Sequence, residues 1–178
     1  MKLLLGVTGG IAVYKSCDLV RRLRERGHEV QVVMTASAQR FVTPMTFSVL
    51  SGRKVGTSLF DDEDPEIDHI KLARWPELIL VAPATAQSLA RFALGMADDL
   101  LSTIVLASEP RVPIVLAPAM NTMMWENPAV RRNLGLLQET GRVSVVAPAE
   151  KLLACGETGA GGLADEAAIL AAVDAAAR

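Results

Sequence analysis

Residues 112–125 read VPIVLAPAMNTMMW, the most informative stretch of the chain. Its first six residues form an apolar run that is typical of a strand buried on both faces of a parallel sheet. The octet from Pro118 to Trp125 then lies at the carboxyl end of that strand, where open α/β sheets bind ligands. One amide side chain, Asn121, stands among large apolar groups, which suits a dry pocket holding one polar group. The alternative is a structural loop, with Asn121 capping a helix and the methionines packing in the core.

The rest of the chain alternates in the same way between short apolar runs and segments with helical spacing. Strands are predicted at residues 3–7, 30–34, 78–82, 114–117 and 143–146, and helices at 11–26, 85–93, 99–107, 128–139 and 165–177. This alternation predicts one α/β domain, residues 1–178, in which helices cover both faces of a parallel sheet. The acidic segment 60–68 and the glycine-rich segment 152–163 are predicted to be loops.

Composition excludes several classes of protein. The formal net charge of −2 argues against nucleic acid as a partner. Two cysteines are too few for a disulfide scaffold or a zinc site, so no metal is expected. No apolar run approaches the ~18–20 residues that span a membrane, and without an export signal we expect a cytoplasmic protein. Because 51% of the chain is hydrophobic and the mean hydropathy is +0.31, we expect apolar surface to be buried between subunits.

A glycine turn, GVTGGI at residues 6–11, joins the first predicted strand to the first helix. Free N–H groups at such a helix start can hold a phosphate, which makes Thr8, Gly9, Gly10 and Ile11 candidate ligand residues. The spacing does not match G-x-G-x-x-G, and the second strand ends without an acidic residue. Both features argue against NAD and favour a mononucleotide phosphate. A tight turn without a ligand is the alternative.

Small polar side chains also follow the second and third predicted strands. Thr35 and Ser37 follow the second strand, and Thr85, Ala86, Gln87 and Ser88 follow the third. Their hydroxyl and amide groups could bond a phosphate or the edge of a flat ring. They could equally cap helices.

Two histidines and two cysteines complete the candidate chemistry. His69 could act as a base near neutral pH, although an incidental surface histidine is the alternative, and His28 is predicted to be solvated. Cys155 lies in the glycine-rich segment, where a thiol could exchange a proton with a bound substrate. Cys17 is predicted to be a buried thiol on the first helix.

Taken together, the motifs resemble the homo-oligomeric flavin-containing cysteine decarboxylases. In chain order they are GGIA with Tyr14-Lys15, His69, PAT at 83–85, GMADDLL at 95–101, Pro118 to Trp125, and CG-x-x-G-x-G from Cys155. The resemblance implies a Rossmann-like fold of flavodoxin type, with three layers. It also implies FMN bound at a subunit interface, in a trimer or a dodecamer of four trimers. The residues that would line the FMN site are Thr8, Gly9, Gly10, Ile11, Thr35, Ser37, Thr85, Ala86, Gln87, Ser88 and Ala119.

The resemblance further implies FMN-dependent decarboxylation of phosphopantothenoylcysteine to phosphopantetheine in coenzyme A biosynthesis, through thioaldehyde and enethiolate intermediates. His69 would be the base, Asn121 would hold the substrate carboxylate with Met120 and Ala119 beside it, and Cys155 would protonate the enethiolate. Many relatives carry Arg where this chain has Gly162, and many are fused to a phosphopantothenate–cysteine ligase domain, which is a possible partner. A decarboxylase of peptidyl cysteine and a non-catalytic flavoprotein or regulatory subunit are the alternatives.

Overall fold

The computed structural model describes residues 1–60, 69–152, 156 and 158–177. Its main sheet has five parallel strands in the order β2-β1-β3-β4-β5. Every residue of β3 and β4 is buried, which explains why the apolar runs locate these strands in the sequence. The strands are β1 (Lys2–Val7), β2 (Glu29–Met34), β3 (Leu78–Ala84), β4 (Ile114–Pro118) and β5 (Val143–Val145).

Helices cover both faces of this sheet. One hydrophobic cluster contains Leu5, Leu19 and Leu170, and the other contains Leu4 and Ile104. Side chains of β1 alternate between the two clusters, so the molecule has three layers and the predicted fold class is confirmed. The helices are α1 (Lys15–Glu25), α2 (Pro44–Ser51), α3 (His69–Arg74), α4 (Ala86–Leu94), α5 (Leu100–Ala107), α6 (Thr122–Glu126), α7 (Pro128–Glu139) and α8 (Glu166–Ala176), and single 3₁₀ turns span Ile11–Tyr14 and Ala38–Arg40.

The glycine-rich segment is a hairpin where the structure describes it, so the prediction of a loop is wrong there. Strand β6 (Ala149–Leu152) pairs antiparallel with β7 (Thr158–Gly162). Its glycines permit close contact: a Cβ on Gly161 would lie 2.2 Å from the Met120 carbonyl oxygen, and one on Gly162 would lie 2.3 Å from Lys151 Cε. Glycine content hides a strand because a residue without a side chain shows no hydrophobic alternation. The acidic segment 61–68 lies outside the described residues.

The prediction that His28 is solvated is wrong, because the side chain is half-buried. Gly27 ends the first helix with φ +80°, and the His28 N–H donates to the Leu23 carbonyl oxygen at 3.1 Å. Both ring nitrogens are buried without a hydrogen-bond partner in the described part of the chain. Burial, and then the nearby positive amino terminus, lower the pKa of His28 from its ordinary value of 6.5. Asp174 opposes this shift and Arg26 adds to it.

We therefore expect stability to fall as the pH drops below about 6.5, because the unfolded chain then binds a proton that folded His28 resists. His28→Gln removes this titration. The free energy of unfolding of the variant should depend less on pH between about 7.5 and 5.5 than that of the wild type. Urea titrations across this range measure the difference. Equal slopes for the two proteins would contradict the burial argument.

Candidate cofactor and substrate site

The strand order brings the predicted site residues to one edge of the sheet. From β1 the chain moves outward to β2, and from β3 it moves outward in the other direction to β4. The carboxyl ends of β1 and β3 therefore form the switch point at which doubly wound sheets bind ligands. Thr8 and Gly9 follow β1, and Thr85 follows β3.

Thr8 joins these two loops through a fully buried hydroxyl. Its Oγ1 donates to the Pro83 carbonyl oxygen at 2.8 Å and accepts the Thr85 N–H at 2.9 Å. The side chain thus has no surface with which to touch a ligand. It fixes the connection that carries Thr85.

Thr85 begins α4 as its N-cap. Its Oγ1 accepts the Ser88 N–H at 3.5 Å and lies 3.2 Å from Ser88 Oγ. The Leu89 N–H makes the bond to the Thr85 carbonyl oxygen at 3.0 Å. The N–H groups of Ala86 and Gln87 precede this bond and have no acceptor within the helix. These N–H groups, at the positive end of the helix dipole, suit an anion such as a phosphate.

The loops after β1 and β2 touch at Gly9. A Cβ on Gly9 would lie 2.2 Å from Ser37 Cβ, so only glycine allows this approach. Thr35 is half-buried; its N–H donates to the Val7 carbonyl oxygen at 3.1 Å, and its Oγ1 accepts the Ala38 N–H at 3.3 Å. Ser37 remains exposed beside Gly9.

Gly10 and Ile11 line the open side of the same edge. A Cβ on Gly10 would be 3.8 Å from Thr85 Cγ2, which places Gly10 directly beside the start of α4. Ile11 is 60% exposed although it is apolar. Gly10 therefore lies next to the anion-binding end of the helix, and the exposed Ile11 follows it directly in the chain.

Asn121 caps α6, as the structural alternative predicted. Its Oδ1 accepts the Met124 N–H at 3.2 Å. An amide has an acceptor end and a donor end, so the cap leaves Nδ2 available to donate to another group. Capping and ligand binding are therefore compatible roles for this side chain.

The same structural alternative also predicted that the methionines pack in the core. The two methionines after Asn121 do not. Met123 and Met124 are 72% and 47% exposed. Trp125 is buried, and the Arg131 guanidinium lies 4.1 Å from its ring centroid. The prediction that the methionines pack in the core is therefore wrong for Met123 and Met124, whereas Met120 is partly buried against the core.

Ala119 and Met120 connect the Asn121 loop to its surroundings on two sides. The Ala119 N–H donates to the Ala84 carbonyl oxygen at 3.1 Å, next to Thr85. The Met120 N–H donates to the Gly161 carbonyl oxygen in β7 at 2.9 Å. The Asn121 loop therefore lies between the start of α4 and the hairpin. No feature of residues 118–125 alone indicated this second contact.

His69 and Cys155 are the remaining predicted residues. His69 is the half-buried first residue of α3, immediately after the segment 61–68 that lies outside the described residues. Cys155 also lies outside the described residues. Cys17, in contrast, is half-buried against the core, and burial, with Asp18 as a second cause, raises the pKa of its thiol.

The GMADDLL motif, residues 95–101, stabilises the turn between α4 and α5. Arg91 of α4 holds Asp98 in two bonds, of 2.7 and 2.8 Å, and these bonds lower the pKa of the Asp98 carboxyl group. Asp99 caps α5 by accepting the Ser102 N–H at 2.7 Å, in a capping box. The motif thus fixes the turn between α4 and α5.

Two clefts in the described part of the chain are not lined by the loops after β1, β2 and β4. One, of about 170 Å³, lies between the turn after α4, with Gly95 and Met96, and Val143 of β5, and the other, of about 500 Å³, is lined by residues such as Lys2 and Trp75. Among the described residues, no group of three or more His, Cys, Asp or Glu side chains could hold a metal ion. None of the described helices is both long and apolar enough to cross a membrane.

A doubly wound sheet with hydroxyl and helix-terminal donors at its switch point is typical of nucleotide-binding α/β proteins. The chain belongs to the flavoprotein family, whose model, described as "Flavoprotein", matches residues 1–178. A flavin is therefore its cofactor. The donors fit this group, because the open N–H groups of Ala86 and Gln87 suit a phosphate and Gly10 leaves space beside Thr85.

Curated relatives agree with the family. The coenzyme A biosynthesis bifunctional protein CoaBC of Vibrio vulnificus is 50% identical over 161 residues, which are 90% of this chain and 39% of that protein. A probable phosphopantothenoylcysteine decarboxylase of Streptococcus mutans is 44% identical over 165 residues, which are 92% of each chain. This chain spans about two fifths of the length of the bifunctional relatives. The resemblance inferred from the motifs is confirmed.

Solved structures share the fold over nearly the whole chain. A PPC decarboxylase mutant complexed with pantothenoylaminoethenethiol has a TM-score of 0.84 and 32% identity, covering 98% of this chain and 96% of that one. The FMN binding protein AtHal3 has a TM-score of 0.80 and 32% identity, covering 98% and 95%.

Proposed function

We propose that this chain is an FMN-dependent carboxy-lyase that converts phosphopantothenoylcysteine to phosphopantetheine in coenzyme A biosynthesis. One observation carries the proposal: the bond from the Ala119 N–H to the Ala84 carbonyl oxygen places the Asn121 loop beside the first turn of α4. A donor for a carboxylate and donors for a cofactor phosphate are thus adjacent. The relative from Streptococcus mutans, which matches over nearly its full length, supports the same activity.

FMN is the flavin that we assign to this site. The first turn of α4, Thr85 to Ser88, would hold its phosphate, and AtHal3 is named as an FMN binding protein. The walls of the flavin site would come from the loops after β1, β2 and β4. Thr8 and Gly9 would support these loops without facing the flavin. The residues that would face it are Gly10, Ile11, Thr35, Ser37 and Ala119. When bound, FMN supplies reversible hydride transfer, which lets the substrate cysteine pass through a thioaldehyde and so gives decarboxylation an electron sink.

Asn121 would hold the substrate carboxylate with Nδ2, since its Oδ1 is engaged by the Met124 N–H. The amide is neutral, so it binds the carboxylate without the strong attraction of a full positive charge. This matters because the carboxylate charge disappears from the substrate as carbon dioxide leaves. Met120 and Ala119, whose N–H groups make the two contacts of this loop, would shape the pocket around the carboxylate.

His69 and Cys155 would move the protons. Oxidising a thiol to a thioaldehyde releases a proton together with the hydride, and His69 would take that proton near neutral pH. Cys155 would later protonate the enethiolate. Cys17 is unsuited to this task because burial raises the pKa of its thiol and it packs, half-buried, against the core.

A homo-oligomer, either a trimer or a dodecamer of four trimers, would complete the site. Apolar side chains of the loops that form the site are exposed: Ile11 by 60% and Met123 by 72%. Met45 and Val49 of α2 are each 75% exposed on another part of the surface. Burial of these groups against further copies would remove apolar area from water and close the flavin wall. A phosphopantothenate–cysteine ligase, fused or separate, would supply the substrate.

The purified chain tests the proposal directly. It should show the visible absorption of bound flavin and should release carbon dioxide from phosphopantothenoylcysteine. The matched analogue phosphopantothenoylserine lacks the thiol and should release none. A peptide ending in cysteine is the second substrate to try, and turnover of the peptide alone would favour the peptidyl-cysteine alternative. A protein that binds flavin and decarboxylates neither compound would refute the enzymatic proposal.

A further inference from the structure

We infer that Thr8 is a positioning residue for the flavin, which acts through the N-cap of α4 and not through contact with the cofactor. The inference rests on the proposed FMN site. Thr8 is fully buried, so its side chain is reached by protein atoms alone. Its only route to the cofactor is through the groups to which it is bonded.

The Thr8 hydroxyl hydrogen-bonds at both ends of one connection, and its Oγ1 also lies 3.2 Å from Thr85 Oγ1. A hydroxyl has one proton to donate and two lone pairs. The proton goes to the Pro83 carbonyl oxygen at 2.8 Å, and one lone pair receives the Thr85 N–H at 2.9 Å. The Thr8 N–H also donates to the Pro83 carbonyl oxygen, at 3.3 Å, so the distinct contribution of the hydroxyl is its bond to the Thr85 N–H, where β3 passes into α4.

This connection sets the direction of the anion-binding end of α4. Thr85 has the extended N-cap conformation, with φ −82° and ψ 159°, and the helix starts at the next residue. The Ala86 and Gln87 N–H groups follow at once, so a rotation of Thr85 would turn both of them. Hydrogen bonds to a charged group weaken steeply with misalignment. The Thr8 hydroxyl therefore controls how well the first turn faces a phosphate.

Ser16 offers a matched comparison from the same neighbourhood. Its hydroxyl is also fully buried, and it donates to the Ala82 carbonyl oxygen at 2.7 Å, one residue before Pro83. Its side chain makes no hydrogen bond to Thr85 or to α4 within the described residues. Loss of the Ser16 hydroxyl should thus destabilise the same strand without turning the helix start.

The test compares Thr8→Val, Thr8→Ser and Ser16→Ala, each purified, stripped of flavin and titrated with FMN while flavin fluorescence is followed. Thermal unfolding of the apoproteins measures stability separately. We expect Thr8→Val to bind FMN about tenfold more weakly or worse, and Thr8→Ser to stay within about threefold of wild type. Ser16→Ala should also stay within about threefold, even where its Tm falls as much as that of Thr8→Val.

Two results would overturn the inference: wild-type affinity in Thr8→Val, or an equal loss of affinity in Ser16→Ala, which would indicate general destabilisation. If Thr8→Val does not fold, Thr8→Ala removes the same hydroxyl without placing a methyl group against the two polar atoms, and the same comparison applies. Failure of the proposed activity gives a different pattern. A wild-type chain that binds FMN without releasing carbon dioxide leaves the Thr8 comparison intact, whereas a wild-type chain that binds no FMN refutes both.

Discussion

Asn121→Asp should lower kcat/KM for decarboxylation about a hundredfold or more and leave the fold and flavin binding unchanged. In the structure Asn121 Oδ1 accepts the Met124 N–H at 3.2 Å, and a carboxylate oxygen can make the same cap. A negative charge at a helix start is also favourable, so we expect stability to stay within about 0.5 kcal/mol of wild type. The substitution therefore isolates the other end of the amide.

The loss arises because Asp has no Nδ2. The proposed donor to the substrate carboxylate becomes an acceptor that carries a like charge. One hydrogen bond to a charged group contributes about 1.5–3 kcal/mol, and repulsion adds to this loss, so kcat/KM should fall about a hundredfold or more. Steady-state release of carbon dioxide measures the effect, and the visible flavin spectrum reports whether the cofactor is retained.

Asn127→Asp is the matched control. Asn127 caps α7 in the same way, with its Oδ1 accepting the Ala129 N–H at 2.9 Å, and lies only six residues further along the chain. The same chemical change there should leave kcat/KM unaltered. Normal turnover in Asn121→Asp, or loss of turnover in both variants, would remove the assignment of Asn121 as the carboxylate anchor.

Gly161→Ala should reduce turnover strongly while changing flavin affinity little. A Cβ at this position would lie 2.2 Å from the Met120 carbonyl oxygen, and φ is +154°, where residues with side chains are strained. The backbones at Gly161 and Met120 must therefore move apart, which breaks the 2.9 Å hydrogen bond from the Met120 N–H to the Gly161 carbonyl oxygen. The Ala119–Ala84 bond on the flavin side does not depend on this contact.

We expect kcat/KM for Gly161→Ala to fall about tenfold or more, because a substrate-holding loop that shifts by about 1 Å loses its alignment. Gly135→Ala is the control: Gly135 lies within α7, and nothing stands within 4 Å of its added Cβ. That variant should gain about 0.5–1 kcal/mol of stability and keep full activity. An unchanged kcat/KM in Gly161→Ala would show that the hairpin contact is irrelevant to catalysis.

Strong apolar patterning made the sheet predictable. The buried strands at β3 and β4 contain almost no polar side chain, and α7 begins at a proline after a capping Asn127, so their positions follow from local sequence. The hairpin was missed because its contacts, such as that of Gly159 with Thr122, depend on the absence of side chains. Pairing between β6 and β7 is a tertiary property that composition does not reveal.

The site was predictable in location but not in the division of roles. Strand ends and small polar residues place Thr8, Thr85 and Asn121 at one edge, because carboxyl ends of parallel strands share an edge. Sequence alone could not separate a hydroxyl that faces a ligand from one that is buried, as Thr8 is. Likewise, the sequence predicted a solvated His28 because no apolar pattern marks its position. The left-handed turn at Gly27 leads the chain into the place where the His28 ring nitrogens are buried.

The contact between the Asn121 loop and the hairpin has a consequence for engineering and for divergence within the family. Two close contacts, the hydrogen bond from the Met120 N–H to Gly161 and the packing of the Thr122 side chain on Gly159, join segments that are about 40 residues apart in the chain. If the Asn121 loop or the hairpin alone were replaced by that of a relative, a side chain or backbone of the replaced segment could clash with the segment that was kept. Substrate range should therefore be exchanged between relatives by transplanting both segments together, with the apolar sheet retained as the host.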